Sequence, residues 1–242
     1  MNELNVIKPL PREGIGGRVV RAVLFDMDGV LFDSMPNHAY AWSHAMTAFG
    51  LAMTPEEVYM YEGQTGSGTV NMLAQRFWRR DATEEECRRI YEAKTRLFDT
   101  RPEPRPMPGA LELLRKVRAQ GLTRVIVTGS GTHSLLDRLN AAFPGIFRRE
   151  LMVTAFDVSQ GKPHPEPYLT GLERAGVAAS EAVVVENAPL GVQAARAAGI
   201  FTIAVNTGPL KDEVLREAGA NLVLPSVQYL ADNWEQVLES LR

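Results

Sequence analysis

The chain has 242 residues, of which 45% are hydrophobic and 23% are charged. These proportions are ordinary for a globular chain with a sizeable core, and the length suits one large domain or a core with an insertion. The formal net charge of −3 argues against the basic footprint of a nucleic-acid-binding protein or of a protein attracted to anionic membranes. The single cysteine, Cys87, excludes an intrachain disulfide and a thiolate metal cluster.

No apolar run reaches the roughly 18 residues that a membrane-spanning helix needs. The first 17 residues lack the apolar segment of a secretory signal and are rich in proline and glycine. We therefore expect a flexible leader over residues 1–17 and a cytoplasmic, monomeric protein. We expect neither a nucleic acid nor a membrane as a partner.

A buried strand is predicted at residues 18–25 (RVVRAVLF), because this run is largely apolar and has no polar helical face. Residues 34–103 are then predicted to be all-helical, with a glycine-rich loop at 63–68 and a proline-rich return at 100–108 that cannot be helical. The helices are predicted from apolar spacing and capping signals at residues 36–50, from 54 onward, at 70–79 and at 83–98.

From Gly109 onward, strands and helices alternate. Strands are predicted at residues 123–128, 151–153, 182–185, 201–205 and 222–224. Helices are predicted between them at residues 110–120, up to 143, and at 165–175, 190–198 and 210–218. This alternation predicts an α/β fold, a doubly wound parallel sheet with helices on both faces. We expect a core domain at 18–33 and 104–242, and an inserted helical domain at 34–103.

Two carboxylates, Asp26 and Asp28, follow the first predicted strand, where open α/β sheets place their ligands. Asp26 at this position could attack phosphorus and bind Mg²⁺, a cation that prefers oxygen ligands. Asp28 could protonate the leaving oxygen and then deprotonate the attacking water, while Gly29 permits the tight turn. The alternative interpretation is a turn or capping pair of aspartates, which is common in loops.

The segment Thr128-Gly129-Ser130 follows the second predicted strand and offers two hydroxyls and main-chain N–H groups to an anion. It could equally be an ordinary strand-to-helix turn. Lys162 lies in a loop stiffened by neighbouring prolines and could neutralise a phosphoryl group, or it could be a solvated surface lysine. Glu186 and Asn187 end another strand and offer oxygen atoms to Mg²⁺, although Asn187 also suits a helix N-cap.

Four such motifs, each at a predicted strand end, form a specific combination. The chain resembles phosphohydrolases of the haloacid dehalogenase (HAD) superfamily, in the β-phosphoglucomutase-like subgroup, over residues 18–240. The resemblance rests on DMDGV at 26–30, TGS at 128–130, GKPHPEPY at 161–168 and VENAPLGVQAARAAGI at 185–200.

The resemblance implies that Asp26 is the nucleophile, Asp28 the acid/base and Lys162 the charge stabiliser. It assigns phosphate binding to the loop residues Thr128, Gly129 and Ser130, with Gly29 in the turn beside them. It implies a Mg²⁺ site formed by Asp26, the main-chain carbonyl of Asp28, Glu186 and Asn187. The helical insertion would be a mobile cap, with His38 in its first helix near the substrate.

Two positions depart from the family pattern. Asn187 stands where the family usually has an aspartate, so Mg²⁺ binding should be weaker unless another carboxylate contributes. The cap loop at 61–69 contains Glu62 but no Lys or Arg to hold a second phosphate. We hypothesise that Glu62 supplies the missing carboxylate when the cap closes; the alternative is that Glu62 faces water.

A cation-poor cap that carries a glutamate suits a small substrate whose leaving group is itself metal-bound. The EGxTG and ENAPLG segments also look similar to those of HAD-type inorganic pyrophosphatases. The sequence therefore predicts a Mg²⁺-dependent hydrolase that acts on a small phosphorylated substrate, with inorganic pyrophosphate first. The alternatives are a β-phosphoglucomutase, a sugar-phosphate phosphatase, or a non-catalytic protein that binds phosphorylated metabolites.

Overall fold

The computed structural model describes residues 17–131 and 135–242, so the leader predicted at 1–17 lies outside the described residues except for Gly17. A six-stranded parallel sheet forms the centre of the molecule. Its strands in chain order are β1 (Ala22–Phe25), β2 (Thr123–Val127), β3 (Met152–Val153), β4 (Ala182–Glu186), β5 (Phe201–Val205) and β6 (Leu222–Leu224). Their order in the sheet is β3-β2-β1-β4-β5-β6.

Strand β1 is buried on both faces, as its continuous apolar sequence predicts. Val23 and Phe25 pack into one hydrophobic cluster, whereas Leu24 packs into a second cluster on the opposite face. The strand is shorter than predicted, because Val19 is 69% exposed and pairing begins only at Ala22. The alternation of side chains across the pleat thus anchors β1 between two helical layers.

Four helices follow β1 and share a hydrophobic cluster of their own. They are α1 (Met35–Ala48), α2 (Pro55–Met60), α3 (Gly66–Trp78) and α4 (Glu84–Asp99). Capping boxes at Thr54 and Thr83 begin α2 and α4. The sequence predicts the box at Thr83, and at Thr54 it predicts a helix start with proline in the first turn. Helix α3 begins earlier than predicted, since the Thr65 hydroxyl accepts a hydrogen bond from the Gly68 N–H at 3.1 Å and caps the helix.

The helices that cover the sheet are α5 (Ala110–Ala119), α6 (Leu135–Ala142), α7 (Glu166–Ala175), α8 (Pro189–Ala197), α9 (Asp212–Ala218), α10 (Val227–Asp232) and α11 (Trp234–Leu241). The sequence interpretation missed α10 and α11. Both contribute apolar side chains to the larger cluster, and Trp234 is fully buried there. Two short 3₁₀ turns, Arg149–Leu151 and Ala179–Glu181, precede β3 and β4.

The predicted fold class, a doubly wound α/β core with an inserted helical cap, is confirmed. The domain limits at 34 and 103 stay a prediction. In the parts of the chain that the structure describes, no helix is long and apolar enough to span a bilayer.

The chain order of the strands determines where a site can form. After β1 the chain builds β2 and β3 on one side, and later β4, β5 and β6 on the other side. Parallel strands on the two sides of such a reversal leave a crevice at their carboxyl ends. The side chains just beyond β1, β2 and β4 therefore meet at one edge of the sheet.

Candidate active site

Asp26 and Asp28 lie directly beyond the carboxyl end of β1, and both are buried, with 2% and 4% of their surfaces exposed. The Asp26 N–H donates to the Val185 carbonyl at 3.0 Å, which extends the ladder between β1 and β4 by one residue. Gly29 has a φ of 87°, and a Cβ there would overlap the Asn187 side-chain amide. Glycine is therefore required on both counts, and the predicted tight turn is present.

Lys162 is 1% exposed and reaches into the centre of the site. Its ammonium group donates to Asp26 Oδ1 at 2.5 Å, to Glu186 Oε1 at 2.7 Å and to the Val127 carbonyl at 3.1 Å. An ammonium group has three donors, so these partners use all of them. Lys162 is thus a buried, fully paired cation beside Asp26 and not a solvated surface residue.

Glu186 has hydrogen-bond donors at both carboxylate oxygens. Oε1 accepts from Lys162 and from the Tyr168 hydroxyl, the latter at 2.8 Å. Oε2 accepts from the main-chain N–H groups of Asn187 at 2.8 Å and Ala188 at 3.1 Å. Both carboxylate oxygens of Glu186, a predicted metal ligand, therefore already accept hydrogen bonds from the protein. These contacts hold Lys162 in place.

Two buried oxygen atoms at this edge have no hydrogen-bond partner among the described residues, Asp26 Oδ2 and Asn187 Oδ1. A buried acceptor without a donor is costly unless an ion or water satisfies it. One carboxylate and one amide oxygen suit Mg²⁺, which usually takes few protein ligands and keeps several waters. Within residues 17–131 and 135–242, no three His, Cys, Asp or Glu side chains are already grouped as a metal site.

The same environment affects the protonation of Asp26. Burial raises its pKa to about 8 and outweighs the neighbouring Lys162, while Glu186 and Asp28 raise the pKa further. A metal ion would oppose this shift, because it favours the charged carboxylate.

Asp28 is held by two residues at the start of α1. Ser34 Oγ donates to Asp28 Oδ1 at 2.6 Å, and His38 Nε2 lies 3.3 Å from the same oxygen. Burial alone would raise the pKa of Asp28, but His38 and the hydrogen bonds outweigh it and lower the pKa to about 2. Burial, followed by the charge of Lys94, lowers the pKa of His38. An ionised Asp28 is thus fixed beside Asp26.

The predicted phosphate loop lies at the end of β2. The buried Thr128 hydroxyl accepts a hydrogen bond from the Ser130 N–H at 3.1 Å, and the Thr128 N–H donates to Val153 at 2.9 Å. Burial raises the pKa of Tyr91 of α4, and the main chain of Gly131 opposes this shift, so Tyr91 lies beside the end of this loop. The first turn of the following predicted helix falls partly on residues 132–134, which lie outside the described residues.

The cap loop lies directly over this edge of the sheet. A Cβ on Gly129 would be 2.7 Å from the Gln64 carbonyl oxygen, and a Cβ on Gly161 would be 2.8 Å from Thr65 Cγ2. Burial raises the pKa of Glu62 well above its usual value, and Asp28 and then Asp26 raise it further. Glu62 is thus close enough to the two aspartates for their charges to affect its pKa, and its role with them stays a hypothesis.

The expectation of a cation-poor cap is wrong, because Lys94 of α4 is buried at the cap face beside the site. It is 7% exposed, and its ammonium group lies 5.0 Å from the ring centroid of Phe98 and 5.6 Å from that of Tyr91. Burial lowers the pKa of Lys94, while Asp28 and Glu62 raise it. The spacing of Tyr91, Lys94 and Phe98 places all three on one helical face, but this pattern alone does not assign Lys94 to the site.

Fold and site together define a doubly wound α/β protein with two buried aspartates and a buried lysine at its sheet edge. The model of the haloacid dehalogenase-like hydrolases matches residues 23–205. The chain belongs to that family.

The chain is similar to named relatives over most of its length. Hexitol phosphatase A of Escherichia coli is 35% identical over 87% of this chain and 93% of its own. A phosphorylated carbohydrates phosphatase of Thermotoga maritima is 32% identical over 83% of this chain and 92% of its own. A solved structure from Bacteroides vulgatus, provisionally named a β-phosphoglucomutase, superposes with a TM-score of 0.90 at 57% identity, covering 95% of this chain and 92% of that one.

Proposed function

We propose that this enzyme transfers a phosphoryl group from a small substrate to water through a phosphorylated Asp26. The observation that carries this proposal is the asymmetry of the Asp26 carboxylate. Oδ1 is held by Lys162 at 2.5 Å, whereas Oδ2 has no hydrogen-bond partner among the described residues, and we assign the attack on phosphorus to it. In the first step Oδ2 bonds to phosphorus and the bond to the leaving oxygen breaks; in the second step water releases phosphate and restores Asp26.

Asp28 is the proposed acid/base of both steps. Its contacts with Ser34 and His38 keep the carboxylate ionised and aimed along the same edge as Asp26. An ionised Asp28 is suited to deprotonate the water that attacks phosphorylated Asp26. To act as the acid of the first step, Asp28 must carry a proton that it gives to the leaving oxygen; the carboxylate that remains then accepts the proton of the attacking water.

The residues fit one Mg²⁺ ion. We propose that Asn187, the main-chain carbonyl of Asp28 and Asp26 would hold it, with Asp26 Oδ2 kept for the attack on phosphorus; Asn187 Oδ1 is a buried oxygen that has no hydrogen-bond partner among the described residues. When bound, the ion would neutralise negative charge on the phosphoryl group. Glu186 would act through Lys162, and Glu62 would add the carboxylate that Asn187 lacks.

The phosphate-binding roles of Thr128, Gly129 and Ser130 are part of the proposal. The loop follows β2 at the same edge as Asp26, and Thr128 is fixed by hydrogen bonds to Ser130 and Val153. The cap loop covers it closely, so water would be excluded from the site while the cap is closed.

The names of the relatives favour a sugar phosphate as the substrate over pyrophosphate, which the sequence interpretation placed first. We therefore propose small phosphorylated carbohydrates as the leading substrate class. Inorganic pyrophosphate is the second candidate, because Glu62 is close enough to Asp28 and Asp26 for their charges to add to the effect of burial on its pKa, and it could act there with a metal ion. A β-phosphoglucomutase activity would also need residues that bind a second phosphate.

The cytoplasmic location and the monomeric state stay predictions.

The test is phosphate release with Mg²⁺ from a panel of hexose, hexitol and glycerol phosphates and pyrophosphate. Glucose 6-phosphate formation from β-glucose 1-phosphate is followed separately and would identify a mutase. Asp26→Asn should lower turnover by about 10³-fold or more, because the nucleophile is lost. Full activity of Asp26→Asn would refute the covalent route, and inactivity of the wild type on the whole panel would favour a non-catalytic binding protein.

A further inference from the structure

The turn that carries Asp28 is held partly by its own main chain. In this turn, which comprises residues 27–32 and is called the Asp28 turn below, the Phe32 N–H donates to the Met27 carbonyl at 3.1 Å. The Gly29 N–H donates to the Phe32 carbonyl at 2.8 Å. These bonds do not involve the Gly29 carbonyl. Because glycine has more conformational freedom than other residues, its peptide group needs a further contact to keep one orientation.

Thr207 supplies that contact from a distant part of the chain. Its hydroxyl donates to the Gly29 carbonyl at 2.7 Å, although the two residues are 178 positions apart. Gly29 is buried, so loss of this donor would leave a buried acceptor with one partner fewer, which is costly. None of the four sequence motifs includes Thr207.

The segment that carries this hydroxyl lies between β5 and α9, at residues 206–211, and is called the β5–α9 loop below. The Asn206 N–H donates to the Leu224 carbonyl at 2.8 Å. The Asn206 side-chain amide donates to the Leu210 carbonyl at 2.8 Å and to Asp212 Oδ1 at 2.7 Å. The hydroxyl therefore comes from an anchored part of the core.

The next residue of the β5–α9 loop, Gly208, contacts the cap. A Cβ on Gly208 would lie 2.8 Å from Cδ1 and 3.0 Å from Cε1 of Tyr59, a residue of α2. The φ of Gly208 is outside the left-handed region, so the backbone alone does not require glycine there. The close approach of the Tyr59 ring explains the glycine. Adjacent residues of one loop thus contact the Asp28 turn and the cap.

We propose that Thr207 is a positioning residue for the Asp28 turn, and that the β5–α9 loop links this turn to the cap through the contact between Gly208 and Tyr59. The turn carries the acid/base side chain, so its orientation affects both steps of the reaction. A closed cap, with Tyr59 against Gly208, holds the loop in the position from which Thr207 fixes the turn. This inference rests on the proposed function for the role of Asp28.

The experiment compares Thr207→Val, which removes the hydroxyl at similar size, with Thr207→Ser, which keeps a hydroxyl. Steady-state kinetics with Mg²⁺ use the member of the substrate panel described above that is hydrolysed fastest. Amide hydrogen exchange of peptides covering residues 26–32 is measured in the same proteins. Thr202→Val is the matched control, because the buried Thr202 hydroxyl donates to the Ile200 carbonyl at 3.1 Å near the opposite end of β5.

We expect Thr207→Val to lower kcat about tenfold and to leave KM within about twofold, because it shifts the acid/base and not the loop that binds the phosphoryl group. Exchange at residues 26–32 should become faster in this variant. Thr207→Ser should restore most of kcat, and Thr202→Val should keep the wild-type kcat and exchange. If Thr207→Val folds poorly, Thr207→Ala removes the same hydroxyl and takes its place.

The link to the cap is tested with Gly208→Ala, alone and combined with Thr207→Val. The added methyl group must displace the loop or the Tyr59 ring, so Gly208→Ala alone should lower kcat. If this effect passes through the Thr207 hydroxyl, it should be much smaller when that hydroxyl is already absent. Additive effects of the two substitutions would overturn the link between the cap and the turn.

An unchanged kcat in Thr207→Val would overturn the positioning role. So would a Thr207→Ser variant that is as impaired as Thr207→Val, because the hydroxyl would then not be responsible. In both cases hydrolysis by the wild type leaves the proposed function intact. Conversely, a wild type that hydrolyses no member of the panel would contradict the proposed function, whereas faster exchange in Thr207→Val but not in Thr202→Val would still support the hold of Thr207 on the turn.

Discussion

Gly63 of the cap loop packs against the side chain of Lys162 so closely that a Cβ at Gly63 would lie 2.7 Å from Lys162 Cδ. The φ of Gly63 is 90°, a conformation that residues with a Cβ rarely adopt. The cap therefore closes over the site through main-chain atoms, and the buried lysine beside Asp26 forms part of the surface on which it closes.

We predict that Gly63→Ala impairs closure. The added methyl group must displace either the cap loop or Lys162, and a misplacement of about 1 Å can cost about 100-fold in rate. The value of kcat/KM for the preferred phosphate substrate should fall between about 10-fold and 100-fold. Steady-state kinetics, with thermal unfolding to verify folding, will measure this effect.

Gly50→Ala is the control for the cost of the backbone alone. Gly50 also has a positive φ, 75°, but a Cβ there would meet nothing within 4 Å. This variant should lose some stability and keep kcat/KM. Equal loss of kcat/KM in the two variants would show that backbone strain, and not contact with Lys162, explains the result.

Lys162→Gln should destabilise the protein as well as inactivate it. Without the ammonium group, the buried side chains of Asp26 and Glu186 lose the donor that they share. Removing one partner of a buried ion pair typically costs about 3–5 kcal/mol. Urea unfolding at pH 7 will measure the loss, and turnover should fall below about 1% of the wild type.

Tyr168→Phe is a milder change at the same site, and its loss of stability can be compared with that of Lys162→Gln. It removes only the hydrogen bond to Glu186 Oε1 and leaves the ion pairs of Lys162 intact. The expected loss is about 1–2 kcal/mol, with measurable turnover. If Lys162→Gln proved no less stable than Tyr168→Phe, the buried carboxylates would have to be neutral in the folded protein.

Asn187→Asp should bind Mg²⁺ more tightly than the wild type. Asn187 Oδ1 would become a carboxylate oxygen at the same sheet edge as Asp26 Oδ2, and neither atom has a hydrogen-bond partner among the described residues. Hard cations bind carboxylates more strongly than neutral amides, so we expect affinity to rise about tenfold. Isothermal titration with Mg²⁺ measures it directly.

Asn187→Leu, which removes the oxygen at similar volume, should weaken Mg²⁺ binding. Identical affinity in the wild type and both variants would place the metal elsewhere.

Glu62→Gln should lower turnover and also weaken the dependence of turnover on Mg²⁺ if Glu62 completes the metal site.

The position of the candidate site at the carboxyl ends of the strands could be predicted, because it depends on local sequence. Asp26, Thr128 and Asn187 each follow an apolar strand, and parallel strands bring their carboxyl ends together. The start of α3 was harder to predict. Gly66 and Gly68 have low helix propensity, and the Thr65 cap and tertiary packing offset this cost.

Lys94 could not be assigned to the site from sequence. Helix α4 is mostly charged, and a lysine in such a segment ordinarily faces water. Only the packing of α1 against α4 buries it, because Trp42 and Phe98 then enclose its ammonium group. The same holds for Glu186, whose hydrogen bonds to Lys162 and Tyr168 come from distant parts of the chain.

A carboxylate outside the site, Asp157, yields a prediction about acid stability. Its Oδ2 accepts from the Thr154 hydroxyl at 2.6 Å and the Thr154 N–H at 2.8 Å, and its Oδ1 accepts from Arg174 Nη2 at 2.6 Å. The loop it organises contacts the phosphate loop, since the Ala155 N–H donates to the Ser130 carbonyl at 3.2 Å.

Burial raises the pKa of Asp157, but the hydrogen bonds from Arg174 and Thr154 outweigh it and lower the pKa below 3.8. A depressed folded-state pKa contributes stability that is fully present above the unfolded-state value and is lost as pH falls through the folded-state value. Asp157→Asn should therefore reduce the free energy of unfolding by about 1–3 kcal/mol at pH 7. The difference from the wild type should shrink steadily below about pH 4.

Urea unfolding of both proteins between pH 7 and pH 3 measures this dependence. Asp137→Asn is the matched control, because Asp137 is an exposed carboxylate on α6 and its loss should change stability by only a few tenths of a kcal/mol. A constant difference between Asp157→Asn and the wild type across this range would show that the ionised form of Asp157 is not what holds the loop. In that case shape and packing around Thr154 would account for the effect.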